Sequence, residues 1–307
     1  MLEYKQLKKN RRKFLALTGL TPKEFRMLLP VFGEVYAQAR AGDTTQSGTV
    51  RQRPVGGGRK GQLRTPEQKL LFILVYQKAY PRQTLLGEVC ELSQPRVNYW
   101  VHFLLSVLQQ ALEGVALRPE RRPSKFAHHE RGKKEPRDLI IDGTERRRQR
   151  PQSPEKQALH YSGKSKTHSD KHVGVVNAQT KRVGYLSQTY AGKTHDKKIA
   201  DQEALCYPRD AILYKDTGFQ GYEPPVGQTR QPKKSPAKEH CRGVRNGTIA
   251  RARIRVRVAH ALAGVKRSRI VKDVLRNTKE SFSDGVMAVA CGLHNLLVQV
   301  RKRRLKR

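Results

Sequence analysis

Leu139-Ile140-Ile141-Asp142-Gly143-Thr144-Glu145 and, further along, Ile212-Leu213-Tyr214-Lys215-Asp216-Thr217-Gly218-Phe219 are the stretches that decide the fold of this chain. Each is an apolar run that reads as a buried strand, and each stops at an aspartate followed by a small residue and glycine or threonine. A carboxylate at the end of a buried strand is poorly solvated. Two such ends side by side supply the oxygen ligands that a divalent cation takes. Neighbouring strands lie about 4.8 Å apart, so aspartates on adjacent strand ends can share one cation or bridge a pair. Taken singly, either aspartate could instead cap a turn through an Asx hydrogen bond.

The partner of such a site follows from charge. The 307 residues carry 63 Lys and Arg against 26 Asp and Glu, a formal net charge of +37 spread over the whole sequence rather than one tail. That excess exceeds what solubility needs and suits a polyanion. A metal site in so basic a chain points to a phosphodiester substrate. Cys90, Cys206, Cys241 and Cys291 are widely separated, which argues against a zinc ribbon or a disulfide framework and fits reduced thiols. No apolar segment follows Met1-Leu2-Glu3-Tyr4, and the longest apolar run, Leu70 to Tyr76, is too short to span a bilayer. The expectation is a soluble, cytoplasmic protein with no membrane partner.

Along the chain, Phe14 to Tyr36 reads as helical, with Thr21-Pro22-Lys23-Glu24 as a capping signal. Ala39 to Arg64 is a Gly- and Arg-rich loop, and Thr65-Pro66-Glu67-Gln68 caps a helix that is apolar nearly all round. Gln83 to Leu92, a tight turn at Ser93-Gln94, and a helix from Pro95 to Leu112 form a helix-turn-helix signature. On its second helix Gln94, Arg96, Asn98 and Tyr99 can reach base edges or phosphates, although such helix pairs also occur in purely structural bundles. Short strands follow at Leu139–Ile141, His172–Val176, Val183–Leu186 and Ala211–Tyr214. A loop spans Pro224 to Lys238, a helix Thr248 to Arg267, and a last helix is capped by Asp284. Asp196, after His195, reads as a helix cap. The fold class is therefore α+β. A helical DNA-binding region covers residues 1–118, a basic connector 119–136 and a strand-rich α/β domain 137–307.

Ile141-Asp142-Gly143-Thr144-Glu145-Arg146 with Gln149-Arg150-Pro151, and Tyr161-Ser162-Gly163-Lys164, resemble the first catalytic block of DDE transposases carried by bacterial insertion sequences. Gly192-Lys193-Thr194-His195-Asp196 and Asp216-Thr217-Gly218-Phe219-Gln220-Gly221-Tyr222 resemble later blocks, and Arg255 to Arg267 the third catalytic helix. The N-terminal region, with Leu17-Thr18-Gly19-Leu20-Thr21 and Tyr80-Pro81, is similar to the family's helix-turn-helix region. The resemblance implies an RNase H-like mixed-sheet core that cuts and rejoins double-stranded DNA at transposon ends and target sites. It implies Mg²⁺, with Mn²⁺ as an alternative, held by Asp142 and Asp216, and self-association on DNA. Arg146, Lys164, Lys193, Lys266 and Arg267 flank the implied site and are candidates for gripping phosphates.

One departure bears on activity. In the family a glutamate directly precedes the His-Ala pair of the third helix; here Ala259 precedes His260-Ala261. No acidic residue lies between Glu239 and Asp273, and on one continuous helix Asp273 falls about 20 Å from Ala259. His260 offers an imidazole, which Mg²⁺ does not favour. Glu145 is the nearest substitute carboxylate in sequence, although it reads better as a partner of Arg146. Impaired strand transfer is expected, and the competing function is a non-catalytic DNA-binding relic or repressor. A generic basic RNA-binding protein is disfavoured by the ordered strand-Asp blocks.

Overall fold

The computed structural model describes residues 2–41, 50, 61–127, 138–231, 260–279 and 281–305. The chain divides into two compact units, Met1–Leu117 with Arg267–Ile270, and Arg118–Lys266 with Val271–Arg307.

The first unit is helical: α1 Tyr4–Leu7, α2 Arg11–Thr18, α3 Pro22–Arg40, α4 Pro66–Ala79, α5 Gln83–Cys90 and α6 Gln94–Gly114. The expected helix from Phe14 to Tyr36 is broken in two. The chain turns at Gly19-Leu20 and restarts where the Thr21 hydroxyl accepts from Glu24 N–H while the Glu24 carboxylate accepts from Thr21 N–H. The same reciprocal cap joins Thr65 and Gln68 at the start of α4. Leu70 to Gln77 of α4 are all buried, which is why its apolar residues encircle the helix. Between α5 and α6 the turn folds tightly back: Leu92 N–H donates to the Gly87 carbonyl at 2.9 Å. A Cβ on Gly87 would sit 2.4 Å from the Leu92 carbonyl oxygen, so this turn requires glycine at that place.

The second unit is built on a mixed sheet of β1 Asp138–Arg147, β2 Tyr161–Ser162, β3 Thr167–Asn177, β4 Val183–Leu186, β5 Tyr190–Ala191, β6 Ile212–Lys215 and β7 Gln228–Arg230. Its order is β2-β3-β1-β6-β7, with β4 and β5 also paired to β3. β1 and β3 run antiparallel from Leu139↔Asn177 to Arg147↔Ser169, and β1 runs parallel to β6 from Asp138↔Ile212 to Ile141↔Lys215. Leu139, Ile141, Val173, Val175 and Leu213 pack with Ile199 of the helix Asp196–Glu203 and with Phe219 to form a core. The helix Phe282–Leu305 is tied to the sheet by Asn295, whose side chain accepts from Val183 N–H and donates to Val183 C=O, both at 2.8 Å.

Several expectations change in detail. β1 does not end at Ile141 but continues to Arg147, because β3 pairs with it along its whole length. β7 lies within the stretch expected to be a loop. The start of the expected connector belongs to the second unit: Glu120 bridges to Tyr185, and Phe126 is fully buried in its core. The rest of the connector, from 128, lies outside the described residues, as does nearly all of the Ala39–Arg64 loop. Residues 248–259 of the expected third helix, Ala259 among them, also lie outside. Residues 260–265 are helical and 266–268 turn, so no single helix runs on to Asp273. Asp284 lies inside its helix rather than at the cap. Among the described residues no helix is long and apolar enough to cross a membrane.

The close approach at Gly87 sets a test of the α5–α6 turn. Gly87→Ala meets backbone rather than a movable side chain and is expected to cost about 1–3 kcal/mol in urea denaturation. Gly163→Ala, with nothing within 4 Å of the new methyl, should leave the midpoint within error. Equal midpoints for both variants would contradict the turn geometry.

Candidate active site

The site begins where two apolar runs end together. Ile141 and Lys215 are register partners on parallel strands, so Asp142 and Asp216 are the next residues on adjoining chains. Both are half-buried. The turn-capping alternative also operates at Asp216, whose Oδ1 accepts from Thr217 N–H at 2.7 Å. The Thr217 hydroxyl also donates to it, at 3.4 Å.

Alternation along β1 sends Asp142, Thr144 and Arg146 to one face and Gly143, Glu145 and Arg147 to the other. Arg146, expected on DNA, is turned inward at 1% exposure. It pairs with Asp170 at 3.6 Å and donates to the Ser283 hydroxyl. Asp170, itself 2% exposed, also receives Arg148 Nη1 at 2.9 Å and Ser283 Oγ at 2.8 Å. Arg146 is thus the counterion of a buried carboxylate and is closed off from DNA, which corrects its assignment as a phosphate contact.

Glu145 does not pair with Arg146, because neighbours on a strand face opposite ways. Lys171 Nζ lies 3.4 Å from Glu145 Oε1 and 3.4 Å from Asp196 Oδ1, and donates to Thr194 C=O at 2.9 Å. Burial pushes the Glu145 carboxyl up, but hydrogen bonds from Ser165 and Ser162 and the Lys171 charge outweigh it and hold it below its ordinary value. Asp196 is not the helix cap that the sequence suggests. His195 occupies the cap position, without a capping side-chain bond, and Asp196 opens the helix. Its carboxylate lies against Gly143, where a Cβ would come within 2.7–2.9 Å of it, and near Gly218, at 3.3 Å. These glycines follow Asp142 by one residue and Asp216 by two, so Asp196 sits directly beside both strand ends. Lys171 and Asp196 are the site residues that sequence reading missed. The available signal was a lysine close to the apolar run Val173–Val176 of the same strand, which needs an acidic partner when buried.

Lys266 approaches the acidic pair. Burial pushes its ammonium down, while Asp142 and Glu145 pull it back up. Lys164 and Lys193 line one cavity of about 1020 Å³ together with Asp196 and Gly218. Arg267 groups with the first unit. Gln94, Arg96, Asn98 and Tyr99 are also in the first unit. There Gln94 and Asn98 both donate to Gln83 Oε1, at 2.6 and 3.3 Å, and the Arg96 guanidinium lies 4.8 Å from the Tyr99 ring centre. Gln94 and Arg96 are exposed, and Asn98 and Tyr99 half-buried.

Among the described residues no three His, Cys, Asp or Glu side chains converge on one point. The donor set still suits Mg²⁺, which is bound through one or two carboxylates completed by substrate phosphates. Asp142 and Asp216 are such a pair.

A second carboxylate in this unit has a measurable role in stability. Asp284 accepts from Arg121 and from Thr189 Oγ1, the latter at 3.1 Å, and lies 3.7 Å from His172 Nε2. Burial alone would raise its carboxyl, but the nearby His172 imidazole and the Arg121 charge outweigh it and hold the group at about 2, against an ordinary 3.8. His172 is fully buried and pushed down toward its neutral form, with its Nε2 hydrogen-bonded to Thr189 Oγ1 at 3.0 Å, and Arg121 supplies the charge. The depressed carboxyl adds stability that is fully present above 3.8 and lost as pH falls through about 2. Asp284→Asn should therefore unfold at lower urea at pH 7 and show a shallower loss between about pH 4 and pH 2. Parallel pH profiles for the two proteins would contradict this.

Residues 141–295 match the family model described as DDE superfamily endonuclease. No curated protein and no solved structure matches the chain.

Proposed function

Since this chain belongs to the DDE superfamily endonucleases, we propose that it is a transposase of the insertion-sequence type, with Asp142 and Asp216 as its metal-binding acids. The observation that carries this reading is the placement of those aspartates at consecutive register on parallel β1 and β6. The path β4-β3-β1-β6-β7, in which β3 alone runs opposite to the other four strands, supports an RNase H-like core.

In this reading Asp142 and Asp216 hold Mg²⁺, which when bound supplies Lewis-acid stabilisation of the attacking and leaving oxygens. Hydrolysis of the end phosphodiester frees a 3′-hydroxyl, which then attacks a target phosphodiester and joins the strands. The chain's own part is positional. Gly143 and Gly218 keep the strand ends uncrowded, Lys171 holds Glu145 and Asp196 in place, and Lys266 brings a cation beside Asp142. The helical unit recognises terminal inverted repeats through Gln94, Arg96, Asn98 and Tyr99 at the start of α6, after the helix-turn-helix pattern. The protein works on DNA as a self-associated complex in the bacterial cytoplasm.

Ala259 stands where the family's third-helix glutamate is expected. That substitution favours a second reading, in which the same scaffold binds transposon ends without cutting them, as a relic or repressor. One series separates the two. DNA carrying the element's ends is incubated with Mg²⁺ or Mn²⁺ and wild type, Ala259→Glu, or Ala259→Glu combined with Asp142→Asn or Asp216→Asn. Restoring a ligand worth several kcal/mol should raise nicking by about a hundredfold or more, and either Asn change should abolish the gain. Equal cleavage by wild type and Ala259→Glu would show that the third acid is dispensable. No cleavage by any protein would remove Asp142 and Asp216 as the metal acids.

A further inference from the structure

The cavity of about 1020 Å³ in the second unit is larger than the strand-end chemistry itself requires. It lies at the top of the ordinary range for ligand pockets, about 300–1,000 Å³. Its lining is mixed. It includes Asp196, against Gly143, and Gly218, two residues past Asp216. It also includes Lys164, Lys193, Tyr161 and His168.

Two features set this wall apart from a generic basic surface. Lys164 and Lys193 are both exposed, and among the described residues neither takes part in an ion pair, whereas the neighbouring Lys171 is committed to Glu145 and Asp196. Their charges are therefore available to an external anion. Tyr161, in turn, is a large aromatic left 45% exposed on a rigid element. It lies in β2, paired to His168 of β3, with its ring edge-on to the His168 ring at 5.6 Å. An exposed ring lining the same cavity as two exposed lysines is the combination that binds unpaired nucleotides, with bases on the aromatic and phosphates on the cations. A double helix is a convex rod and cannot enter a concavity of this size.

We propose that this cavity is a single-strand subsite: it receives an unpaired stretch of the DNA end, stacks a base on Tyr161 and holds the flanking phosphates with Lys164 and Lys193. The subsite rests on the DNA-processing reading above and adds a substrate form, an end that is melted or frayed beside the acidic pair.

The test is fluorescence anisotropy of the full chain at one fixed salt concentration. The probes are a labelled blunt duplex and the same duplex with a short unpaired 3′ strand. Wild type should bind the overhang about tenfold more tightly, the effect of roughly one stacked base. Tyr161→Ala should reduce that preference to near unity, Tyr161→Phe should retain it, and Lys164→Ala with Lys193→Ala should weaken the overhang and flatten its salt dependence. Tyr161 is exposed, so the thermal unfolding of Tyr161→Ala should match wild type. Blunt binding with no overhang preference, or a preference that survives Tyr161→Ala, overturns the subsite and leaves the transposase reading standing. Failure to bind either probe overturns both.

Discussion

The architecture of the second unit depends on the unequal pairing of β1. On one side β3 covers it from Leu139 to Arg147; on the other β6 covers it only to Ile141. Up to Ile141 the strand is flanked on both sides and is apolar. Beyond that point β6 no longer pairs with it, and the first residue past the β6 pairing is Asp142. The next backbone partner there among the described residues is Leu275, at Arg147. The aspartates meet because two apolar runs are aligned from Asp138↔Ile212 onward. Strand register is fixed by which side chains must be buried, and a one-residue slip would turn Asp142 to the opposite face. The hydrophobic pattern thus sets where the acids fall along the two strands.

A second constraint comes from charge. With 26 acids against 63 bases, every acid used internally leaves the exterior more cationic. The buried layers of the second unit draw on that small pool. Asp170 neutralises Arg146 and Arg148, Asp284 accepts from Arg121, and Glu145 with Asp196 holds Lys171. These pairs answer to the cost of an uncompensated charge in a low-dielectric interior. Lysines such as Lys164 and Lys193 are then left at the surface without internal partners. Affinity for a polyanion follows from how the interior is neutralised, as well as from the total charge.

The sequence disclosed the strands that bear the acids, the capped helices and the short turn between α5 and α6, because each rests on a local signal: an apolar run, a Thr-x-x-Glu or Thr-x-x-Gln box, a few polar residues between helices. It failed where the outcome depends on a partner distant in sequence. Arg146 and Glu145 are both charged residues of a strand covered on both faces, so nothing local shows which turns to Asp170 and which to Lys171. Asp196 reads as a cap until β1 brings Gly143 beneath it. β2, β5 and β7 are only two or three residues long, too short for any periodicity to register.

Ala259 lies outside the described residues, and the segment after it can be followed from residue 260. The helical residues 260–265 bury Ala261 and Val265, and the chain then brings Lys266 to within electrostatic reach of Asp142 and Glu145. None of these contacts needs an acid at 259. Loss of a ligand is therefore compatible with an unchanged fold and an unchanged cationic exterior. On the proposed reading, cutting DNA and holding DNA are separable in this chain for that reason: cutting needs a complete set of oxygen ligands, whereas holding needs only the lysines and arginines left outside.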